Sequence, residues 1–481
     1  MGAVRPSIAV IGAGFSGLMC AIHLLLKSAK DGPRIYLIEQ NPSFGVGAAY
    51  ATGSGRHLLN TRAGNMSVLP EDPDHFVAWL RSRPDTALLE GASFVSRRTY
   101  GDYLQSLLRD VACSERAAGR LYLVPDTAMA LKRVGLRFAI NLGVGKELTV
   151  DAAILATGNP APQPPAVAHT AFFDSTRYID NPWNPTALAA VEPEDTVLML
   201  GTGLTMVDVA LLLRSRGHRG PLLALSRRGN VPRSHAAPSK QPDLVLPPLA
   251  PRLSQALRAV RAAVREAEQR GGTWQQVMDA LRSATSAYWQ GLSLPAKQRF
   301  LRHLRPWWDI HRHRLAPEVA RRLEALLREG DLTICRGRLL GALLQDTTDG
   351  FPASALWRPV GDTLVYRVGI HYVVNCMGPG ADPARSRSPL FQNLLAAGLA
   401  RPDALRLGLD VDISGRLIGR EGTVADQLFA IGPPTRGIFW ESTAVPDIRR
   451  HAAVVAISAL AAVARTPYLP AKDIAFADIL S

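Results

Sequence analysis

The sequence predicts an α/β fold with two Rossmann-like dinucleotide-binding units, on three observations. A strand, a glycine turn and a helix open the chain: Ser7-Ile-Ala-Val-Ile-Gly-Ala-Gly-Phe-Ser-Gly17, then Leu-Met-Cys-Ala-Ile-His. The same order returns at Asp195-Thr-Val-Leu-Met-Leu-Gly-Thr-Gly-Leu-Thr-Met206. Between them an apolar strand runs into Ala156-Thr157-Gly158 and a proline-rich exit, and a similar strand follows late, at His371-Tyr-Val-Val-Asn-Cys-Met-Gly. These two strands read as paired crossings between two domains. The chain has 481 residues, too many for one ordinary core, and its 47% hydrophobic content supplies apolar residues for more than one.

In the first unit each part of G-x-G-x-x-G has a job. Gly12 makes the tight turn, Gly14 lets the backbone approach a pyrophosphate, and Gly17 lets the helix sit close to the sheet. The helix N-terminus, with Ser16 in its first turn, is placed to hold phosphates. The next strand, Arg34-Ile-Tyr-Leu-Ile, ends in Glu39, at the spacing from which an acid binds a ribose hydroxyl pair.

In the second unit Gly201 and Gly203 keep the phosphate turn, with Thr205 in the first helical turn. Met206 replaces the third glycine, which loosens helix–strand packing. The following strand, Pro221-Leu-Leu-Ala-Leu-Ser, ends in Arg227-Arg228 where NADH-binding units carry an acid. Arginines there accommodate a 2′-phosphate and favour NADPH over NADH. The other reading is solvated surface charge in an arginine-rich chain.

The first domain is then discontinuous, residues 1–165 and 370–481. The second spans 166–369 and contains a helical insertion at 251–329, read from helical spacing at Leu253, Leu257, Val260 and Val264 and at Trp274, Val277, Met278 and Leu281. Pro295 to Arg314 and Pro317 to Arg328 supply two more helices. Arg305-Pro-Trp-Trp-Asp-Ile-His-Arg-His-Arg314 is dense in aromatic and basic groups. His311 and His313 lack a nearby carboxylate or cysteine partner, so no metal is expected; the segment reads as a helix that packs Trp307 or Trp308 and exposes Arg and His, or as a lining of the pyridine-nucleotide or substrate channel.

The formal charge of +14 comes from scattered residues, nearly all arginine, with no nucleic-acid-binding motif beside them. It favours anionic cofactors and substrates rather than nucleic acid. The four cysteines, Cys20, Cys113, Cys335 and Cys376, form no C-x-x-C, so no dithiol redox pair is encoded. Ala452 to Ala464 is too short an apolar stretch to span a bilayer. The chain reads as a soluble cytoplasmic protein with no membrane partner.

Two dinucleotide sites without a dithiol imply FAD plus NADPH (or NADH), with dioxygen as the commonest electron acceptor for this layout and a flavin C4a-hydroperoxide as the hydroxylating species. Three segments carry a resemblance: Asn41-Pro-Ser-Phe-Gly-Val-Gly-Ala-Ala-Tyr, His57-Leu-Leu-Asn-Thr-Arg-Ala-Gly-Asn-Met-Ser-Val-Leu-Pro, and Leu428-Phe-Ala-Ile-Gly-Pro-Pro-Thr-Arg-Gly-Ile-Phe-Trp-Glu-Ser-Thr. In these the chain resembles the bacterial FAD/NAD(P)-binding protein family with two nucleotide domains. Its size and layout are similar to the FAD-dependent urate hydroxylase type. The resemblance implies a monooxygenase acting on a small anionic heterocycle, with urate to 5-hydroxyisourate, in purine catabolism, as the first reading. N-hydroxylation of a small amine or amino acid is the alternative. A reductase passing NADPH electrons to a quinone or protein is a further one.

The resemblance places Asn60 and Met66 along the flavin and Thr157-Gly158 near the cofactor. The acid that related flavoproteins carry after Gly432 is replaced by Pro433. Arg436 is the candidate cation for a urate anion, with Glu441 or His311 as base. Trp440 reads equally as core and as a cofactor- or substrate-facing ring. The helix from Thr443 to Ala464 would aim its N-terminus at the flavin.

Overall fold

The strand Ser7–Ile11 is buried along its whole length, as a strand covered on both faces must be. It lies between two parallel neighbours, Arg34–Ile38 and Ala152–Leu155. The full six-stranded order is Arg416–Ile418, Val424–Ala430, Ala152–Leu155, Ser7–Ile11, Arg34–Ile38 and Leu121–Val124. The late strand Val424–Ala430 thus joins the amino-terminal sheet, paired in parallel with Ala152–Leu155. The computed structural model describes residues 5–52, 55–167, 170–184, 186–238, 244–345 and 350–465. The last residues of the expected first domain, 466–481, lie outside them.

Two helices cover one face of this sheet. Phe15–Leu26 buries every residue from Phe15 to Leu25, and Val445–Arg465 packs beside it through Ala452, Val455, Ala456 and Ala459. The other face is covered by an antiparallel sheet of Ala128–Val134, Arg137–Leu142 and Glu147–Val150, together with the helix Pro389–Ala396.

The second sheet has seven strands in the order Tyr366–Ile370, Ala353–Pro359, Leu332–Leu344, Leu222–Ser226, Val197–Leu200, Tyr372–Asn375 and Tyr178–Ile179. Five are parallel, and the first two form an antiparallel extension. The α/β class with two parallel Rossmann-like sheets is therefore the observed one.

Three details differ from the sequence reading. The strand Tyr372–Asn375 pairs with Val197–Leu200, so the return crossing follows Asn375 rather than residue 370. The helix Pro317–Arg328 is not part of a separate insertion. It buries Ala320, Leu323 and Leu326 in the second sheet's core, as the crossover between two parallel strands must. The remaining helices are Leu253–Gln269, Trp274–Gly291, Leu294–Arg299 and Arg305–Arg312.

The third difference is a break in the segment expected as one helix from Pro295 to Arg314. A π-helical turn, Phe300–Leu304, precedes Arg305–Arg312. Pro306 is the cause: it has no N–H to give the carbonyl of Arg302, and its ring crowds that carbonyl. The freed Arg302 oxygen accepts instead from Arg228 Nη2 at 3.3 Å.

Candidate functional site

Both glycine turns stand at the carboxyl ends of their parallel strands, where open α/β sheets bind ligands. At the first turn Gly12 has φ +99°, and a Cβ there would sit 2.4 Å from the Ala156 carbonyl oxygen. A Cβ on Gly17 would sit 1.8 Å from the Gly12 oxygen. No side chain can be accommodated at either position. Gly14 caps the helix Phe15–Leu26 without a side-chain hydrogen bond, and no acid lies in the first turn. The turn therefore keeps free backbone donors and the positive end of the helix, the features a pyrophosphate needs.

Thr157, in the neighbouring crossing, has a buried Oγ1 with no protein partner, and Gly158 beside it has φ +68°. The Gly432 turn closes the same spot: φ there is +76°, and a Cβ would lie 2.5 Å from Ser16 Oγ and 3.9 Å from the Ser442 carbonyl oxygen. Two helix N-terminal regions, those of Phe15–Leu26 and Val445–Arg465, thus meet at Gly432. With its free donors, orphaned hydroxyl and backbone-only cradle, this turn fits FAD.

Glu39 is placed differently from the sequence reading. Its Oε2 accepts from the Ala13 N–H at 2.8 Å and its Oε1 from the Asn41 N–H at 3.0 Å. The acid braces the glycine turn itself. Oε1 also accepts from Asn41 Nδ2 at 3.2 Å, while Oε2 retains capacity for a second hydrogen bond, so bracing does not prevent a ribose contact. Met66 is buried, and its carbonyl accepts from Tyr100 Oη at 2.9 Å. The Asn60 carbonyl accepts from His235 Nε2, at 3.0 Å, in the second unit. Burial pushes His235 down to about 4, so the ring that makes this bond is neutral.

The second turn repeats the first in one respect. Gly201 has φ +107°, and a Cβ would lie 2.5 Å from the Cys376 carbonyl oxygen, the counterpart of Ala156. It departs in two others. Met206 is fully buried, packed in the second core where the first unit has Gly17. Arg227 and Arg228 are exposed at the end of Leu222–Ser226, and neither pairs with a carboxylate among the described residues. Gly203 caps the next helix without a side-chain bond, and nothing lies within 4 Å of a Cβ built on it. Thr205, in that helix's first turn, is partly exposed.

A third region was only partly visible in the sequence. The loop after Gly432 carries Arg436, Trp440 and Glu441, and the helices 274–312 pack directly on it. Trp289 Nε1 donates to the Gly437 oxygen at 2.9 Å. Trp289 and Trp440 lie 4.6 Å apart, Phe300 meets Trp440 edge-on at 5.3 Å, and Trp308 meets Phe300 at 6.1 Å. Arg436 stacks over the Trp440 ring at 4.6 Å. Its burial and the nearby Arg305 lower it to about 10, which leaves it cationic at neutral pH. Of the two readings of Trp440 the packing agrees with core: it is 3% exposed, in an aromatic cluster.

This region corrects the two candidate bases. Glu441 is buried and accepts from Arg312 Nη2 at 2.8 Å, so its carboxylate is held in an ion pair. Burial raises its proton affinity while Arg312 opposes the rise. His311 gives Nδ1 to the Trp307 carbonyl at 2.7 Å and sets its ring edge-on to Trp274. No hydrogen bond, ion pair or ring contact joins it to Arg436 or Glu441 among the described residues. Trp289, Phe300 and Asp309 were missed as site residues. The available signal was the density of Arg305-Pro-Trp-Trp-Asp, since no spacing rule ties that segment to residue 436.

Several bonds hold the units together beside these turns. Arg97 pairs with Asp208 at 2.8 Å, Arg62 Nη2 donates to the Ala236 oxygen at 2.7 Å, and Arg282 pairs with Asp447 at 3.1 Å. No described helix is long and apolar enough to cross a membrane.

Comparison with known proteins agrees with this geometry. Residues 9–160 match a family model described as FAD-NAD(P)-binding, so the expected FAD and NAD(P) cofactors rest on a family match as well as on the turns. No curated protein matches the chain in sequence. Among solved structures, the reduced form of ornithine hydroxylase from Pseudomonas aeruginosa has a TM-score of 0.66 at 13% identity, over 95% of this chain and 100% of that one. Ornithine N-hydroxylase from Kutzneria sp. 744, with reduced FAD, NADP+ and L-ornithine, has 0.64 at 13%, over 95% and 99%. L-lysine 6-monooxygenase from Pseudomonas syringae has 0.64 at 16%, over 95% and 100%. These likenesses establish the fold along nearly the whole chain.

Proposed function

We propose that this chain is an FAD-dependent, NADPH-consuming monooxygenase that hydroxylates the nitrogen of a small primary amine or amino acid. The observation that carries the reading is the aromatic compartment beside the Gly432 turn. It packs a cluster of aromatic rings on the loop that follows the turn that fits FAD, an apolar surrounding that suits a hydroxylation that must not leak peroxide. The structural neighbours include hydroxylases of ornithine and lysine, which supports an amine over urate. The cysteines support oxygen over a disulfide as acceptor: all four are free, and Cys20 and Cys376 are buried.

In this reading FAD is held by Gly12, Gly14, Ser16, Gly17, Glu39, Thr157, Gly158 and Gly432, with Asn60 and Met66 beside it. NADPH is held by Gly201, Gly203, Thr205, Arg227 and Arg228. The first domain comprises residues 1–165 and those following Asn375. When bound, FAD would supply the redox chemistry, taking up the reducing equivalents of NADPH for the two-electron reduction of dioxygen. The balance is closed: NADPH, a proton, dioxygen and the amine give NADP+, water and the hydroxylamine. One N–H and the O–O bond break, an N–O bond forms, and the second oxygen leaves as water. The protein's own work is to hold the amine, exclude water and keep the phosphates on the two helix ends.

A second reading, a small anionic heterocycle such as urate, is favoured by Arg436, a buried cation whose Nε has no protein partner. One experiment separates the two. NADPH oxidation by the FAD-loaded protein is followed with L-ornithine, L-lysine, 1,5-diaminopentane or urate, and hydroxylamine and urate are assayed alongside. Amine-stimulated oxidation with hydroxylamine formed is the expected result. Urate loss without hydroxylamine selects the second reading, and stimulation by quinones alone rejects both.

A further inference from the structure

The compartment between the helices 274–312 and the Arg436–Glu441 loop contains polar atoms that the protein leaves unmatched. Trp308 Nε1, Arg436 Nε and Asp309 Oδ1 are all buried without a hydrogen-bond partner. Leaving such atoms unpaired is expensive, so each asks for a ligand atom or water of opposite character.

Most acids of this neighbourhood are already committed. Glu441 pairs with Arg312. Asp447 pairs with Arg282 and Arg450. Asp403 accepts the backbone N–H groups of Leu405, Leu407 and Gly408. Asp309 differs: its Oδ2 meets Arg305 Nε at a long 3.4 Å, and its Oδ1 meets no donor. Pro306 sets the start of the helix that carries it, and Trp308 on the same helix joins the aromatic wall with Phe300.

We propose that Asp309, on the helix whose Trp308 joins the ring cluster of Phe300, Trp289 and Trp440, is the specificity-determining residue that binds the cationic nitrogen of the substrate. The assignment rests on the amine reading above. The Asp309 side chain is 38% exposed and so reachable, and a carboxylate with one open oxygen accepts from an ammonium group, which indole faces also favour. Arg436 sets the second requirement. Its unmatched Nε–H, with that of Trp308, calls for an acceptor, and an anionic oxygen best offsets the excess of guanidinium groups. The site therefore suits a molecule with both a cationic nitrogen and an anionic oxygen more than a plain diamine.

The test is equilibrium binding by calorimetry to the FAD-loaded protein in the absence of NADPH. The probes are L-lysine, 1,5-diaminopentane and hexanoate, which has lysine's carbon chain and carboxylate but no amine. Wild type should bind lysine more tightly than the diamine. Asp309→Asn should weaken lysine about 10- to 100-fold, the worth of one charge-assisted bond, and leave hexanoate unchanged. Asp309→Glu should recover part of the loss. FAD content and hexanoate binding report whether each variant is folded. Should Asp309→Asn fail to load FAD, Asp309→Glu takes its place, with lysine weakened and hexanoate kept.

The assignment is overturned by unchanged lysine affinity in the variant, by equal loss of lysine and hexanoate, or by wild type that binds none of the probes. Failure of the reaction is read separately. Lysine bound through Asp309 but never hydroxylated refutes the reaction and keeps the site. Hydroxylation unaffected by Asp309→Asn refutes the site and keeps the reaction.

Discussion

The two glycine turns are built on one plan and used to different depths. In both, the first glycine is required by the neighbouring crossing: Ala156 presses on Gly12 and Cys376 on Gly201, with near-identical clearances of 2.4 and 2.5 Å. The third position separates them. Gly17 lets its helix touch the Gly12 carbonyl, whereas Met206 fills the corresponding space with a buried side chain. The first turn is further braced by Glu39 and overlaid by Gly432, while the second opens onto exposed arginines. A closed turn suits a cofactor that stays, and an open one suits a nucleotide that comes and goes. The difference lies in packing around the motif, which is why G-x-G alone does not distinguish them.

The largest effect that probes this contrast is expected at Gly17, the third position of the closed turn, set against Gly203, the second position of the open one. Gly17→Ala would force the first helix off its sheet, at a cost of about 3 kcal/mol or more, and should yield colourless, poorly folded protein. Gly203→Ala, which meets nothing within 4 Å, should change stability by less than about 1 kcal/mol and act on NADPH affinity alone. FAD absorbance and denaturant midpoints check the pair. Equal tolerance at both positions would erase the distinction between a closed and an open turn.

Acid should act on the first unit through His451. Its ring packs on Phe439 at 4.0 Å, and burial lowers it to about 4 from an ordinary 6.5. The folded state excludes a proton that the unfolded state takes up. Stability should therefore be unaffected above about pH 6.5 and fall as pH drops toward 4, by up to about 3 kcal/mol. His451→Phe should remove that portion of the loss. Parallel pH–stability curves for the two proteins would show that His451 does not carry it.

The smaller effect belongs to the open turn. Removing Arg227 or Arg228 should cost about 1.5–3 kcal/mol in apparent NADPH affinity and leave NADH nearly unchanged. Arg228 carries a second role that Arg227 lacks, since it holds the Arg302 carbonyl freed by Pro306. Kinetics with both nucleotides would sharpen the comparison. Equal losses for NADPH and NADH would remove the 2′-phosphate from the argument.

The glycine turns, their strands and the return of the late strand to the first sheet were legible because each depends on local pattern: apolar runs, fixed glycine spacing, a crossing strand. The packing of the helices on the Arg436–Glu441 loop was not, because Trp289 and Trp440 are brought together from distant segments by tertiary packing. Pro306 offered a partial clue. It forecast a disturbed helix, and the disturbance is the π-helical turn that seats Phe300 against Trp440. Glu441, expected as a candidate base, shows the same limit, since its partner Arg312 lies 129 residues away.

The central claim is that two unlike dinucleotide turns serve one aromatic compartment in which an amine gains oxygen. Its most direct test is a single turnover with oxygen-18 gas, NADPH and L-lysine or L-ornithine, followed by mass analysis of the product. The account predicts one labelled oxygen on nitrogen and NADPH consumption that rises with, and matches, hydroxylamine formed. NADPH consumption indifferent to the amine, with all label recovered in hydrogen peroxide, would contradict it.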